Sequence, residues 1–199
     1  MPVVKLLGSI LLAASVAAPG FSSSLPAKGN LRFDVIRKGK DIGDHSYTFS
    51  GSPGDYSVRV QTDIAVKVPL LRINAYVFKQ NSTERWHGQS LTAISSATND
   101  DGTAHQLDEN GKGILPASLW NDEIVKSRKL LNTIDGRIMS VKVTDLGDQA
   151  VPTRSGNIIA RHYRISGDLD RDIWYDGEGN LAHVSFKADD GSTVTYLRK

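Results

Sequence analysis

Strict alternation of apolar and polar residues is the dominant pattern of the chain, and it is longest between Tyr56 and Val68. A period of two residues requires an extended strand with one dry face and one wetter face. The run is more than twice the usual strand length of about 5–6 residues. Because long strands twist and coil, we expect this run to lie in a strongly curved sheet.

Shorter segments with the same alternation flank the long run on both sides, and turns rich in Gly, Asn and Asp separate them. A spacing of about 8–12 residues is typical of antiparallel barrels and sandwiches. The pattern therefore predicts a mainly β fold, a single highly curved antiparallel sheet or an open barrel, formed by one domain over residues 27–199. The shorter segments are residues 31–35, 45–49, 71–77, 84–86, 89–98, 138–146, 157–165, 171–175, 181–187 and 193–198.

One segment departs from the alternation. Residues 117–131 contain no Gly or Pro, and they follow Pro116, a residue that is tolerated in the first turn of a helix. Trp120, Ile124 and Leu131 share a face at helical spacing. The sequence therefore predicts one amphipathic helix here, packed against the sheet and covering one face or mouth of it.

The N-terminal segment has the composition of a secretory signal. Lys5 precedes an apolar run from Leu6 to Ala18, and small residues follow it. The run is shorter than the roughly 20 apolar residues of a membrane-spanning helix, so we expect no transmembrane segment in the mature chain. We predict a signal peptide over residues 1–22, cleaved between positions 18 and 24, and a soluble periplasmic protein.

Composition narrows the range of functions. The chain has no cysteine, which excludes disulfides, thiolate chemistry and anchoring through a lipid-modified cysteine. Its 24 Lys and Arg residues nearly balance 22 Asp and Glu residues. Nucleic-acid binders usually carry a clear excess of positive charge, so we predict no nucleic-acid partner.

No pattern of catalytic or metal-ligating residues is evident. Asp168, Asp170 and Asp172 resemble the start of a calcium loop, but Ile173 and Gly179 stand where that loop needs Gly and Glu. Nucleophile elbows and phosphate-binding loops are absent. We predict no enzyme, no cofactor and no metal. The histidines are widely spaced, and those at 45 and 183 are interpreted as ordinary polar residues on strand faces. They are His45, His87, His105, His162 and His183.

Aromatic residues, in contrast, lie on many of the predicted strands. A curved sheet with a dry concave face must fill the concavity, either with its own side chains or with a ligand. Both alternatives remain open from the sequence. The candidate wall residues of a ligand cavity are Phe49, Tyr56, Val58, Val60, Ile64, Leu71, Ile73, Trp86, Trp120 and Trp174.

Several segments together resemble an uncharacterised family of exported proteobacterial proteins, a domain of unknown function. The resemblance covers about residues 31–198 and implies a β-rich fold without an established activity. The predicted architecture is more distantly similar to the LolA and LolB lipoprotein carriers, which hold acyl chains in a curved sheet, but no residue-level motif is shared. The segments are Gly39-Lys40-Asp41-Ile42-Gly43, Trp86, Leu115-Pro116-Ala117-Ser118-Leu119-Trp120-Asn121, Ile173-Trp174-Tyr175-Asp176 and Gly179-Asn180-Leu181.

Three hypotheses for the function follow. The first is a periplasmic, non-catalytic binding or carrier module for a hydrophobic or lipid-like ligand. The second is a structural or interaction protein of the cell envelope with a filled core and a polar partner surface that includes Arg59, Gln61, Asp63 and Lys67. The third is a hydrolase, which would require His87 or His162 to meet a carboxylate in an open cleft.

Overall fold

The computed structural model describes residues 29–67 and 74–199. The predicted signal peptide and the candidate residues Leu71 and Ile73 lie outside the described residues. None of the helices in the described ranges is long and apolar enough to cross a membrane.

The described residues form a single 12-stranded sheet in which every pair of neighbouring strands is antiparallel. The spatial order is β6-β5-β4-β3-β2-β1-β12-β11-β10-β9-β8-β7, so the sheet has two edges and is not closed into a barrel. The predicted mainly β, antiparallel fold is confirmed. The strands are β1 (Asn30–Arg37), β2 (Lys40–Gly51), β3 (Asp55–Lys67), β4 (Asn74–His87), β5 (Ser90–Asp100), β6 (Thr103–Asn110), β7 (Lys129–Leu131), β8 (Ile138–Thr153), β9 (Gly156–Gly167), β10 (Arg171–Tyr175), β11 (Leu181–Lys187) and β12 (Thr193–Arg198).

The long alternating run forms strand β3. Tyr56, Val58 and Val60 are buried on one face of it, whereas Arg59 and Gln61, which alternate with them, are exposed. Alternation sends successive side chains to opposite faces of a strand, so this pattern determines which face of the sheet is concave and dry. The same apolar face continues across the neighbouring strands and forms one large hydrophobic core.

The predicted amphipathic helix over residues 117–131 is wrong. A five-residue 3₁₀ helix, Asp122–Lys126, and the short strand β7 occupy this region. Asn121 caps the 3₁₀ helix by accepting a hydrogen bond from the Glu123 amide, and the chain is extended again at Ser127. The i and i+4 spacing of apolar residues therefore reflects burial of an irregular segment and not a regular helix.

Long-range hydrogen bonds hold this irregular segment in place. The hydroxyl of Tyr47 donates to the carbonyl of Ser118, and that of Tyr175 donates to the carbonyl of Leu119 at 2.7 Å. Leu119 has a φ of 69°, a left-handed conformation that a regular helix of L-residues does not contain. We call residues 111–137 the plug segment, because its apolar side chains pack into the concave face of the sheet.

The end of the plug segment also packs against strand β6. Gly136 has a φ of +75°, and a Cβ at this position would lie 2.7 Å from Cδ1 of Leu107. Only glycine combines that backbone conformation with so close an approach. The plug segment thus connects the β6 edge of the sheet to the β7–β8 side, which gives the open sheet a barrel-like interior.

A second, smaller layer lies on the opposite face of the sheet. The far half of the β8–β9 hairpin packs Val151 and Ala160 against Trp174 and Ala182. Arg154 in the hairpin turn forms an ion pair with the buried carboxylate of Asp34 on β1. The hairpin is therefore folded back over the sheet.

Candidate functional site

A pocket of about 320 Å³ lies between the concave face of the sheet, the plug segment and the β9–β10 connection. Aromatic and aliphatic residues and a comparable number of polar and charged residues bound it. We call it the His45 pocket. The lining residues that matter for the site are His45, Tyr47, Met139, Leu169, Arg171 and Tyr196.

His45 lies on strand β2 with its side chain on the buried face of the sheet, and the residue is only 6% exposed. Its Nδ1 lies 2.8 Å from Oγ1 of Thr62 on β3, and its ring centroid lies 4.7 Å from that of Tyr47 and 4.8 Å from that of Tyr196. Burial lowers the pKa of this imidazole to about 3, so the ring is neutral near pH 7. Its Nε2 has no hydrogen-bond partner among the described residues.

Arg171, the first residue of β10, supplies a partly buried positive charge to the same pocket. Its guanidinium carbon lies 3.9 Å from the ring centroid of Phe186, and Nη1 donates to the carbonyl of Asp170 at 2.7 Å. Burial lowers the pKa of Arg171, yet an arginine stays protonated in proteins. No carboxylate in the described part of the chain forms an ion pair with it.

A buried carboxyl group lies in the core beside the plug segment. Glu84 on β4 is fully buried, and its Oε2 accepts hydrogen bonds from Nε1 of Trp86 at 3.1 Å and from Nε1 of Trp120 at 2.8 Å. Burial raises its pKa to about 6, although Trp120, Ser118 and Trp86 each act to lower it. Oε1 has no hydrogen-bond partner within the described residues. Glu84 therefore titrates near physiological pH.

Replacing Glu84 with Gln should change the pH dependence of stability. The folded-state pKa of about 6 lies above the ordinary value of 4.5. The stability that Glu84 contributes through this raised pKa is therefore fully present below pH 4.5 and is lost as the pH rises through 6. A shift of this size corresponds to about 2 kcal/mol. Urea denaturation should show that the difference in unfolding free energy between wild type and E84Q changes by about that amount between pH 4.5 and 7.5. A difference that is constant with pH would contradict the assignment.

The structure brings most of the predicted wall residues together. Phe49, Tyr56, Val58, Val60, Trp86 and Trp120 belong to, or pack against, the main core. There the ring of Trp120 meets those of Phe49 and Trp86 edge to face, each at 5.3 Å between centroids. These residues contact the plug segment and one another, and they do not line the three pockets that we describe.

The other predicted wall residues are separate from this group. Ile64 packs with Val35 and Val194 in a small cluster near the other end of β3. Trp174 is buried on the opposite face of the sheet, under the β8–β9 hairpin. It therefore takes no part in the concave face.

The sequence analysis missed His45, Tyr47 and Arg171 as site residues. One signal was available for His45, because it alternates in phase with Tyr47 and Phe49 on an otherwise apolar strand face. A histidine on the buried face of a strand needs hydrogen-bond partners there, because an unpaired buried ring nitrogen is energetically unfavourable. Nothing in the local sequence distinguishes Arg171 from an ordinary surface arginine.

Two further pockets lie outside the main core. A cleft of about 850 Å³ beside the 3₁₀ helix carries a concentration of acidic side chains. Several of them are paired with cations, such as Asp145 with Arg161 at 2.7 Å and Asp176 with Arg198 at 2.7 Å. A polar trough of about 570 Å³ is lined by residues of strands β2–β6, among them Ser46, Gln61, Asn81 and Gln106.

The histidines of the hydrolase hypothesis both contact a carboxylate. His87 Nδ1 lies 2.8 Å from Asp55 Oδ1, with both side chains exposed at the β3–β4 end. His162 Nε2 lies 2.8 Å from Asp172 Oδ1, beneath the stacked ring of Trp174 at 4.1 Å between centroids. Neither histidine lines one of the three pockets. Among the described residues there is no group of three or more His, Cys, Asp or Glu side chains placed to hold a metal ion.

Comparison with known proteins agrees with this architecture. A family model described as a domain of unknown function (DUF6134) matches residues 33–199. The chain belongs to this family. The predicted resemblance to an uncharacterised β-rich family is thereby confirmed, and no curated protein matches the chain.

A solved structure is similar to this fold. It is the crystal structure of a β-barrel-like protein of domain of unknown function DUF1849 from Brucella abortus. The match has a TM-score of 0.58 at 13% sequence identity and covers 85% of this chain and 94% of that chain. At this identity the similarity concerns the fold alone, and it agrees with the open, barrel-like sheet described above.

Proposed function

We propose that this protein is an exported, periplasmic, non-catalytic binding or carrier module, and that the His45 pocket takes a hydrophobic or lipid-like ligand. The observation that carries the proposal is the pocket itself. Its volume of about 320 Å³ lies at the lower end of the range of small-molecule sites, about 300–1,000 Å³. Tyr47, Met139, Leu169 and Tyr196 give it an apolar wall, and a comparable number of polar residues, among them His45 and Arg171, lies beside that wall. An apolar wall with adjacent polar groups suits a ligand that has an alkyl chain and one polar end.

The packing of the core limits the size of the ligand. The apolar side chains predicted to line a large cavity are in contact with the plug segment, so the concave face is mostly filled. A single alkyl chain suits the volume that remains beside the plug segment. Binding of a whole phospholipid would require the plug segment to move away from the sheet.

The proposal predicts that decanol, a neutral apolar probe, binds in the His45 pocket. Ile134 lines this pocket and is partly buried, so Ile134→Trp should obstruct the pocket and weaken binding at least tenfold. Ile138 on β8 is 48% exposed, and Ile138→Trp is the matched control that should leave binding unchanged. Isothermal titration with wild type and both variants, checked for folding by circular dichroism, measures the effect.

Native mass spectrometry of protein purified from a bacterial periplasm provides a second test. We expect a retained apolar small molecule that organic solvent extracts. Absence of both a retained molecule and decanol binding would overturn the proposal. Equal decanol binding by Ile134→Trp and wild type would instead place the ligand elsewhere on the protein.

The alternative function is an interaction protein of the cell envelope with a filled core. The polar trough favours this alternative, because it exposes Gln61 and Asp63 of the predicted partner surface beside Lys79 and Asn81. Crosslinking in cells from a photoreactive residue at position 61 should recover one specific partner protein. An equivalent probe at the exposed Arg128, outside the trough, serves as the control.

A further inference from the structure

We infer that the His45 pocket selects ligands whose apolar tail ends in an anionic oxygen group, a carboxylate or a phosphate, and that Arg171 and Nε2 of His45 hold this group. The inference rests on the proposed function and adds the chemistry of the ligand head. It depends on two polar groups that line one pocket and lack a suitable partner within the described residues.

The first group is the Arg171 guanidinium. Burying a charge is unfavourable unless the charge is paired, and most buried or partly buried arginines meet a carboxylate or a phosphate. Arg171 has instead the ring of Phe186 and one backbone carbonyl. Most N–H groups of the guanidinium therefore remain available to donate hydrogen bonds to two oxygens of a ligand.

The second group is the neutral imidazole of His45. If the Thr62 hydroxyl donates to Nδ1, a contact of 2.8 Å, the ring carries its proton on Nε2. His45 lines the pocket, and its Nε2 is buried without a hydrogen-bond partner among the described residues. A ligand oxygen is the partner that this tautomer requires.

A chain of edge-to-face and tilted ring contacts connects the two groups. Arg171 lies on Phe186, whose ring centroid is 6.0 Å from that of Tyr196, and Tyr196 is 4.8 Å from His45. Arg171, His45 and Tyr196 line the same pocket, and Tyr196 also acts electrostatically on Arg171. The ligand head then lies beside Tyr196, between the two donors.

None of the other charged groups among the described residues of the pocket forms an ion pair with Arg171 that would take the place of an anionic ligand. Arg137 adds a second positive charge, and its nearest carboxylate oxygen, on Asp135, is 3.8 Å from Nε. Asp168 accepts a hydrogen bond from the Ser140 amide at 2.8 Å. Arg137, Asp168 and Asp170 are all exposed, so water screens their charges. Asp170 acts electrostatically on Arg171, but Arg171 is the one of these four charged side chains that is partly buried.

Head groups of other charge fit this arrangement less well. An alcohol could accept a hydrogen bond from His45 but would leave the guanidinium without a counter-charge. A quaternary ammonium group would be repelled by the partly buried Arg171. The pocket therefore favours a negative head at the polar wall and an alkyl chain along Met139 and Leu169.

Four probes with the same ten-carbon tail test the inference at pH 8 in isothermal titrations. These are decanoate, decyl phosphate, decanol and decyltrimethylammonium. We expect wild type to bind decanoate or decyl phosphate at least tenfold more tightly than decanol and the ammonium probe least. The stronger of the two anionic probes identifies the preferred head.

Arg171→Gln should remove this preference, so that the anionic probe binds no more tightly than decanol to the same variant. Arg171→Lys keeps the charge and should retain part of the preference. Arg59→Gln, an exposed site on the opposite face of β3, is the control and should behave as wild type. His45→Phe should weaken the anionic probe by a smaller factor, since it removes the imidazole donor and keeps an aromatic ring.

Two results would overturn the inference while the proposed function stands. They are equal binding of decanol and both anionic probes by wild type, and an undiminished anionic preference in Arg171→Gln. Failure of every probe to bind would overturn both this inference and the proposed function. Circular dichroism and thermal unfolding of each variant show whether lost binding reflects lost folding.

Discussion

Acidification from pH 7 to 4.5 should remove about 5 kcal/mol of stability through two buried histidines, since each histidine that is neutral in the native state contributes about 1.4 kcal/mol per pH unit. Burial lowers the pKa of His45 to about 3 and that of His183 to about 4, from an ordinary value of 6.5. At pH values between these lowered pKa values and 6.5, the two histidines bind protons in the unfolded chain but not in the native protein. Stability is therefore complete above pH 6.5 and is lost as the pH falls.

Glu84 acts in the opposite direction over part of this range. Its raised pKa stabilises the native protein as the pH falls from 6 to 4.5, by about 2 kcal/mol. The expected net loss from these three groups between pH 7 and 4.5 is thus about 3 kcal/mol. Removing the carboxyl in E84Q should make the acid sensitivity of the protein greater.

Urea denaturation followed by tryptophan fluorescence at several pH values measures this slope. His45→Gln and His183→Gln should each remove about half of the histidine contribution, whatever their effect on stability at pH 7. His87→Gln is the matched control, because His87 is exposed. A double variant of His45 and His183 with the acid slope of wild type would refute the assignment.

The sheet was predictable because its signal is local. In strand β3, burial follows the alternation of the sequence residue by residue from Tyr56 to Ile64. Turn residues separate the strands, and nearly all neighbouring strands in the sheet are consecutive in sequence. One exception, the pairing of β1 with β12, joins the two ends of the described domain and has no local signal.

The plug segment was not predictable because its conformation depends on distant partners. Tyr47 and Tyr175 donate hydrogen bonds to its carbonyl groups from strands 71 and 56 residues away in sequence. Its apolar spacing is compatible with a helix, and only these contacts and the pairing of β7 with β8 decide otherwise. Periodicity reports which residues are buried, and here the tertiary contacts determine the backbone.

The candidate site was only partly predictable, for a related reason. Trp174 alternates with Ile173 and Tyr175, which belong to the main core, so its ring points to the other face. The sequence marks it as buried but gives no sign that the β8–β9 hairpin covers it. His45 and Arg171 meet at one pocket although 126 positions separate them in the sequence, and no spacing rule relates them.

Trp120→Ala should destabilise the protein by about 3–5 kcal/mol, the usual range for removing a large buried aromatic side chain. Trp120 is 6% exposed and is the main contact between the plug segment and the aromatic group of Phe49, Tyr56 and Trp86. Its removal leaves a cavity in the middle of the interior. It also takes one of two indole donors from the buried Glu84 carboxylate, whose pKa should then rise further above 6.

The pH dependence separates the two causes of this loss. Trp120→Phe keeps most of the packing but lacks the donor, so it should lose less stability at pH 4.5 than at pH 7.5, where Glu84 is ionised. Trp174→Ala is the matched tryptophan control, since Trp174 is 8% exposed on the opposite face and donates to Gln149. It should destabilise the protein without altering the titration of Glu84. If Trp120→Phe lost the same stability at both pH values, Trp120 would act through packing alone, and Glu84 would not depend on the plug segment for its ionised form.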